Sequence, residues 1–150
     1  CIINEKFNDV SYYYYLLSIE YLKSIKADNI NIMNDYDKLN LNKFYKYMEL
    51  AQIYYAYNIV NEYMKSPFSK ITPMKLFNLT RYLLYFVNND VNGELIGISK
   101  ISLLYVFSKQ CMRLNAFKFG RTILNELLTY KIPKEWRDNI ELDSLIIKTK

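Results

Sequence analysis

The stretch that decides the fold is LLYVFSKQCMRLNAFKFGRTILNELL, residues 103–128. On each side of Asn115, apolar or small side chains recur at intervals of three and four residues, which places them on one face of an α-helix. The first set is Ile101, Leu104, Ser108 and Cys111, and the second set is Phe117, Gly120, Leu124 and Leu127. We therefore expect two amphipathic helices joined by a very short turn, which makes them antiparallel neighbours.

The rest of the chain has the same helical character. Three glycines and three prolines in 150 residues are too few for the frequent turns of a β-sandwich or barrel. We expect an all-α fold of about six helices, with the polar segment 27–42 as a loop. The helices are expected near residues 9–26, 41–65, 73–88, 99–114 and 115–130, and from Pro133 through Ile147. Mostly short connections leave two architectures open, a closed bundle and a solenoid of stacked helix hairpins.

Three of these helices have capping signals at their N-termini. Asn8 and Asp9 can cap the first helix, and Ser99 can cap the fourth. Thr72 followed by Pro73 is a cap and first-turn pair for the third helix. The apolar stripe of that third helix is Leu76, Leu79, Leu83 and Phe86.

Tyrosine runs occur twice, as SYYYYLLS at residues 11–18 and as YYAY at residues 54–57. With an offset of 42, residues 12–24 and 54–66 share seven identities in thirteen positions, a spacing typical of helix-pair repeats. The shared positions are Tyr12, Tyr13, Tyr15, Glu20, Tyr21, Lys23 and Ser24, matched by Tyr54, Tyr55, Tyr57, Glu62, Tyr63, Lys65 and Ser66. An AT-rich codon bias would also supply many tyrosines.

Four consecutive tyrosines in a helix point around its whole circumference. A helix in a solenoid packs against its hairpin partner and against the next repeat, so we expect two or three of its faces to be covered. A partner protein could cover any ring left outside.

The composition argues against catalysis and metal binding. The chain has no histidine, and its two cysteines, Cys1 and Cys111, make neither a disulfide framework nor a zinc site. No phosphate-binding glycine motif occurs. The closest carboxylate groupings are Asp35 with Asp37, and Glu141 with Asp143. We expect the first pair to be solvated and the second pair not to face one cavity, so we predict no enzyme activity, no cofactor and no metal site.

The net charge of +5 is compatible with a nucleic-acid or membrane-surface partner. The basic residues are scattered, however, and only Lys23 and Lys65 share a position in the 42-residue offset, so a solvated helical surface explains them better. We expect no nucleic-acid partner and no transmembrane segment, since no apolar run approaches about 18 residues. Helical-repeat binding of nucleic acid or of short peptides is the alternative to a scaffold role.

Two small residues lie where a helix crossing is expected. Ser108 and Gly120 are twelve apart on opposite sides of the Asn115 turn, similar to the tetratricopeptide pattern, which places small residues where antiparallel helices cross closely. Glycine within a helix costs about 1 kcal/mol relative to alanine, and a close contact would explain that cost. The alternative is an incidental glycine in an ordinary bundle.

Nearly the whole chain resembles one family. The resemblance is carried by residues 54–84, 97–128 and 130–150, and residues 7–18 are similar to the family's preceding helix. Its main motifs are Pro67-Phe68, LFN at residues 76–78, GISK at residues 97–100, the turn with Asn115, Ala116, Phe117, Gly120 and Arg121, and an ending with Ile132, Pro133, Trp136, Ile140, Glu141 and Leu142. The chain departs from the family pattern where Asn115 replaces glycine and Gly120 replaces alanine. These residues identify it as similar to the C-terminal, tetratricopeptide-like region of the intraflagellar transport protein 122 family.

The resemblance implies a single α-solenoid segment, residues 1–150, of a longer protein in intraflagellar transport complex A. It implies two WD-repeat propellers before the segment and a cysteine-rich, zinc-binding end after it. The expected work is non-enzymatic scaffolding in retrograde transport and in delivery of membrane proteins into cilia. The expected partners are other complex A subunits and, indirectly, membrane-protein cargo, at the cilium or flagellum and basal body on the cytoplasmic side.

Overall fold

The chain is all-helical wherever the computed structural model describes it, which is over residues 2–26, 34–66, 71–91 and 93–149, with side chains from Phe7 onward. These ranges contain six α-helices and no strand. The helices are α1 (Ile2–Lys23), α2 (Asp35–Lys65), α3 (Pro73–Asn88), α4 (Lys100–Arg113), α5 (Phe117–Leu127) and α6 (Lys134–Lys148). The expected all-α class and the expected number of about six helices are therefore confirmed for the described residues.

Two expected boundaries are wrong. Asn8 and Asp9 lie inside α1 and do not cap it, because the helix extends back to bring Phe7 into contact with the Tyr57 ring, 4.9 Å between centroids. Residues 35–42 are helical and do not form a loop. Asn34 Oδ1 accepts a hydrogen bond from the Asp37 backbone N–H at 2.8 Å, which satisfies a free amide at the start of α2. Residues 27–33 of the predicted loop lie outside the described residues.

The chain divides into two compact units, Cys1–Ile59 and Val60–Lys150. In the first unit, α1 and α2 pack antiparallel, since Phe7 contacts Tyr57 whereas Tyr21, further along α1, stacks on Tyr47, earlier in α2. The two tyrosine runs thus lie on consecutive helices. This finding corrects the interpretation of the 42-residue offset as a distance between successive helix pairs.

The second unit contains the caps and the turn that the sequence predicts. Thr72 Oγ1 accepts from the Lys75 N–H at 3.2 Å, and Ser99 Oγ accepts from the Ser102 N–H at 3.2 Å, so both caps are confirmed. The α4–α5 turn is also confirmed. Asn115 adopts a left-handed φ of 58° there, a conformation that asparagine tolerates better than most residues.

The core of the second unit contains only part of the predicted apolar faces. The predicted residues Leu79, Phe86, Ile101 and Phe117 are only half-buried, and the core also contains residues outside the predicted stripes, namely Leu84, Leu103, Val106 and Phe107. Successive helices from α3 to α6 pack in sequence order. The side chains with essentially no exposure include Leu76, Leu83, Leu103, Leu104, Leu124, Leu127, Ile140 and Ile147. Among the described residues, every helix is too short or too polar to traverse a lipid bilayer, and no cluster of three metal-binding side chains occurs.

Candidate interaction surfaces

An open groove lies between α1 and α2 in the first unit, with a volume of about 440 Å³. Among the described residues, its lining consists of Asn8, Ser11, Tyr12, Tyr15, Met48, Ala51, Gln52 and Tyr55, none of which is charged. We call these residues the aromatic groove.

The floor of the aromatic groove is fixed by contacts between the two helices. Ser11 Oγ donates a hydrogen bond to the Ala51 carbonyl at 2.7 Å, which brings α1 and α2 close together. The Tyr14 ring stacks between Tyr47 and Tyr54, with centroid distances of 5.9 and 5.7 Å. Because successive helical residues rotate by about 100°, seating Tyr14 inward turns its neighbours outward.

Three tyrosine rings of the groove remain uncovered. Tyr12 is 62% exposed, Tyr15 is 44% exposed and Tyr55 is 60% exposed, and Tyr13 beside the groove is exposed to a similar degree. The expectation that two or three faces of the first helix are covered is thus wrong for the described part of this unit. An uncharged groove edged by tyrosine hydroxyls is the kind of surface that protein interfaces use.

The second unit has a smaller cleft of about 310 Å³, lined by Tyr63, Met64, Tyr105, Val106, Lys109 and Trp136. One wall is the Trp136 ring stacked on Tyr105, with centroids 4.4 Å apart and planes at 11°. Lys109 is the one charged side chain among the described lining residues, and its Nζ is 2.7 Å from Asp143 Oδ2 and 5.5 Å from the Tyr105 ring centre. Lys109, the side chain that could bind a peptide carboxylate here, therefore already has an ion-pair partner. We call the lining residues of this cleft the Trp136 cleft.

The two small residues at the expected helix crossing are both buried. Ser108 is fully buried in α4 and donates to the Tyr105 carbonyl of its own helix at 2.7 Å. A Cβ atom built on Gly120 would lie 3.1 Å from Ile147 Cδ1 and 3.3 Å from Cys111 Cβ, and no Ser108 atom lies within 4 Å of it. The structure thus brings Gly120 against Cys111, one turn beyond Ser108, and also against α6.

In each of the two carboxylate pairs, one member contacts another part of the chain and the other member is exposed. Asp37 is buried and accepts from the Lys26 N–H at 3.3 Å, whereas Asp35 is exposed. This burial of Asp37 corrects the expectation that the pair is solvated. Asp143 pairs with Lys109, and Glu141 is exposed.

Burial raises the pKa of the Cys111 thiol to about 11, which disfavours the thiolate needed for reactivity or metal binding.

Sequence reasoning missed the contacts that shape both surfaces. Lys109 and Asp143 are 34 residues apart and no local pattern links them. Which of four adjacent tyrosines faces inward is decided by rings on another helix. The one sequence signal for the inward-facing tyrosine is the position of the apolar face of α1. Four identical residues in a row do not reveal that position.

No protein-family model matches the chain. A curated zebrafish (Danio rerio) protein named "Intraflagellar transport protein 122 homolog" is 34% identical over 149 residues, which is 99% of this chain and 12% of that protein. The human (Homo sapiens) homolog of the same name is 33% identical, covering 99% of the chain and 11% of that protein. The chain is related to one segment of intraflagellar transport protein 122. The mouse (Mus musculus) homolog agrees, with 32% identity over 99% of the chain and 12% of its own length.

The resemblance stated from the sequence motifs is therefore confirmed, and the matched segment is C-terminal in intraflagellar transport protein 122. The chain spans only about an eighth of the length of these homologs.

Proposed function

We propose that this chain is a non-enzymatic scaffold segment of intraflagellar transport complex A. It serves retrograde movement and the delivery of membrane proteins into cilia by holding neighbouring subunits, and it carries membrane-protein cargo only indirectly. It works at the cilium and basal body on the cytoplasmic side. The observation that carries this proposal is the match to intraflagellar transport protein 122 homologs along 99% of the chain.

The aromatic groove supplies the adhesive surface in this proposal. Burying a tyrosine ring at an interface removes a large apolar area from water while the hydroxyl can still hydrogen-bond at the edge. Tyrosine also contributes binding energy more often than most residues in interfaces. We propose that Tyr12, Tyr15 and Tyr55 contact a neighbouring subunit of the complex.

The scaffold itself is proposed to be a single helical-repeat segment of a longer protein, with stacked hairpins as its units. The sequential packing of α3 to α6 supports this arrangement, because each helix of a repeat protein contacts mainly its neighbours in sequence. Ser108 and Gly120 serve in it as packing positions, since both are buried, the Ser108 hydroxyl bonds within its own helix, and Gly120 has no side chain.

Complex assembly tests the scaffold role. In ciliated cells, full-length protein carrying Tyr12→Ser, Tyr15→Ser and Tyr55→Ser should lose complex A subunits on co-purification. A matched control replaces Tyr36, Tyr45 and Tyr85, which are 60%, 60% and 64% exposed, and should retain them. If deletion of the whole segment leaves every subunit bound, the proposal is wrong.

Peptide capture is the second candidate, and the Trp136 cleft is the observation that favours it. The pairing of Lys109 with Asp143 makes it the weaker one, because a peptide carboxylate would have to compete with a bond of 2.7 Å. Nucleic-acid binding is tested by measuring RNA affinity at two salt concentrations. Weak binding that disappears at moderate salt would eliminate it.

A further inference from the structure

The last helix, α6, has a second apolar stripe on the side that faces away from the core. Its buried residues are Ile140 and Ile147. Leu142 is 56% exposed, Leu145 is 61% exposed and Ile146 is 38% exposed. At about 100° per residue these three lie within about 100° of one another, and Leu142 lies about 160° from Ile140. The helix therefore has two apolar sides, and only one of them is covered within the described chain.

No other helix of the second unit has such an exposed stripe among the described residues. The other exposed large apolar side chains of this unit are Met74, Tyr85, Val91, Ile96 and Phe119, and no two of them lie within one turn of a helix. α4 packs on α3 and α5, and α5 packs on α4 and α6. A helix at the end of a helical stack normally turns a polar side outward. The stripe on α6 therefore indicates that a further element covers this helix.

Three carboxylates border the stripe. They belong to Glu135, Asp138 and Glu141, which are all exposed. Each lies within about 40° of Leu142 or Leu145 around the helix. These three side chains have no hydrogen bond or ion pair among the described residues. The other acidic side chains of residues 60–150 all have interactions, namely Glu62, Asp90, Glu94, Glu126 and Asp143.

The charge of this side of α6 is opposite to that of the unit. Residues 60–150 hold fourteen basic and eight acidic side chains, which gives a net charge of +6. On the exposed side of α6, Lys134 offsets one of the three carboxylates and leaves −2. The stripe and its acidic border extend for about 16 Å along the helix at 1.5 Å per residue. We call these residues the α6 outer face, which consists of Glu135, Asp138, Glu141, Leu142, Leu145 and Ile146.

We propose that the α6 outer face docks an amphipathic helix of a neighbouring subunit, with basic residues beside its apolar side. Apolar side chains of the incoming helix cover Leu142, Leu145 and Ile146, and its Lys or Arg side chains pair with the three carboxylates. Amphipathic helices commonly dock on proteins through apolar residues three and four positions apart. This inference rests on the proposed scaffold role and adds a second adhesive surface with the chemistry of its partner.

The acidic border argues against other occupants of this face. Nucleic acid and anionic lipids attract basic residues, and helices that lie on membranes carry Lys and Arg on their polar side. A second copy of the chain would bring its own three carboxylates close to these, and like charges in an interface are unfavourable. Another part of the full-length polypeptide is the remaining occupant. A scaffold needs surfaces for its neighbours, which favours a subunit, and the test separates the two.

Photocrosslinking of the full-length protein in ciliated cells identifies what lies on the face. The photoreactive amino acid p-benzoylphenylalanine takes the place of Leu145, and light joins it to its neighbour. The expected product is a crosslink to another subunit of complex A, in a helical peptide with Lys or Arg beside an apolar side. The same amino acid in place of Met74, which is exposed on α3, is the control and should not capture that peptide. The proposal is overturned if the crosslinks stay within one polypeptide, join two copies, reach lipid or RNA, or do not form.

A double variant tests the apolar stripe. Leu142→Gln with Leu145→Gln should reduce the amount of the crosslinked subunit that co-purifies by about tenfold, because two apolar side chains no longer leave water on docking. The matched control is Met74→Gln with Val91→Gln, which removes two exposed apolar side chains elsewhere in the unit and should retain the subunit. Equal recovery with both double variants would overturn the proposal.

A charge-reversal variant tests the acidic border. Glu135→Lys, Asp138→Lys and Glu141→Lys together should also reduce recovery of the subunit, because its basic side chains then face lysines. The three carboxylates are exposed, so the melting temperature should stay at the wild-type value, and full recovery of the subunit would contradict the proposal. Assembly through the aromatic groove is scored separately. The scaffold role therefore survives if only these α6 variants have no effect, and it fails if deletion of the whole segment leaves every subunit bound.

Discussion

Lys109 Nζ lies 2.7 Å from Asp143 Oδ2, and this ion pair joins α4 to α6 across 34 residues of sequence. The two side chains are only 29% and 13% exposed. The pair is therefore drier than an ordinary surface ion pair, and it also holds Lys109 near the Tyr105 ring that Trp136 covers.

Replacing Asp143 with Asn should destabilise the second unit by about 1–3 kcal/mol, between the values for exposed and buried pairs. The loss arises because Lys109 keeps its charge in a partly dry site. Urea unfolding measures it, and a double-mutant cycle with Lys109→Met isolates the coupling between the two residues. A coupling energy of zero would show that the contact contributes nothing.

Gly120 leaves little room for a side chain between α4, α5 and α6. Gly120→Leu should cost about 1–3 kcal/mol by overpacking against Cys111 and Ile147. Gly120→Ala should stay within about 1 kcal/mol of the wild type, because the helix preference of alanine and the movement of Ile147 Cδ1 offset the tight contact with Cys111 Cβ at 3.3 Å. Asn125→Leu, on the exposed side of the same helix, is the control. An unchanged melting temperature for Gly120→Leu would contradict the close packing.

The α4–α5 hairpin could be predicted from sequence because its determinants are local. Each helix carries its own 3-4-3 stripe, and Asn115 supplies the left-handed residue of the turn. The caps at Thr72 and Ser99 were predictable for the same reason, since the cap and its amide are three residues apart.

The surfaces could not be predicted as well, because their determinants are distant in sequence. The start of α1 depends on Phe7 meeting Tyr57, and the shape of the aromatic groove depends on Tyr14 meeting Tyr47 and Tyr54. The start of α2 has a local cause in Asn34, but the Asn- and Asp-rich composition around it is also typical of a loop.

Tyr14 should matter more for stability than the exposed tyrosines. Tyr14→Ala removes two stacked ring contacts, each worth about 0.5–1.5 kcal/mol beyond the buried area. Tyr36→Ala, at a ring that is 60% exposed, should change stability by no more than about 0.5 kcal/mol. Thermal unfolding of both variants checks the difference, and equal losses would be inconsistent with the inward position of Tyr14.

The buried thiol of Cys111 should make stability depend on pH in the alkaline range. Its pKa is raised by burial to about 11 in the folded chain, whereas the unfolded chain ionises the thiol near the ordinary value of about 9.0. The protonated thiol therefore stabilises the folded state fully below pH 9, and that contribution is lost as the pH rises towards 11. Cys111→Ala lacks the titrating group, so the stability difference between wild type and variant should shrink from pH 8 to pH 11. Urea unfolding of both proteins across this range measures it. A difference that stays constant would mean that the thiol ionises equally in the folded and unfolded chains.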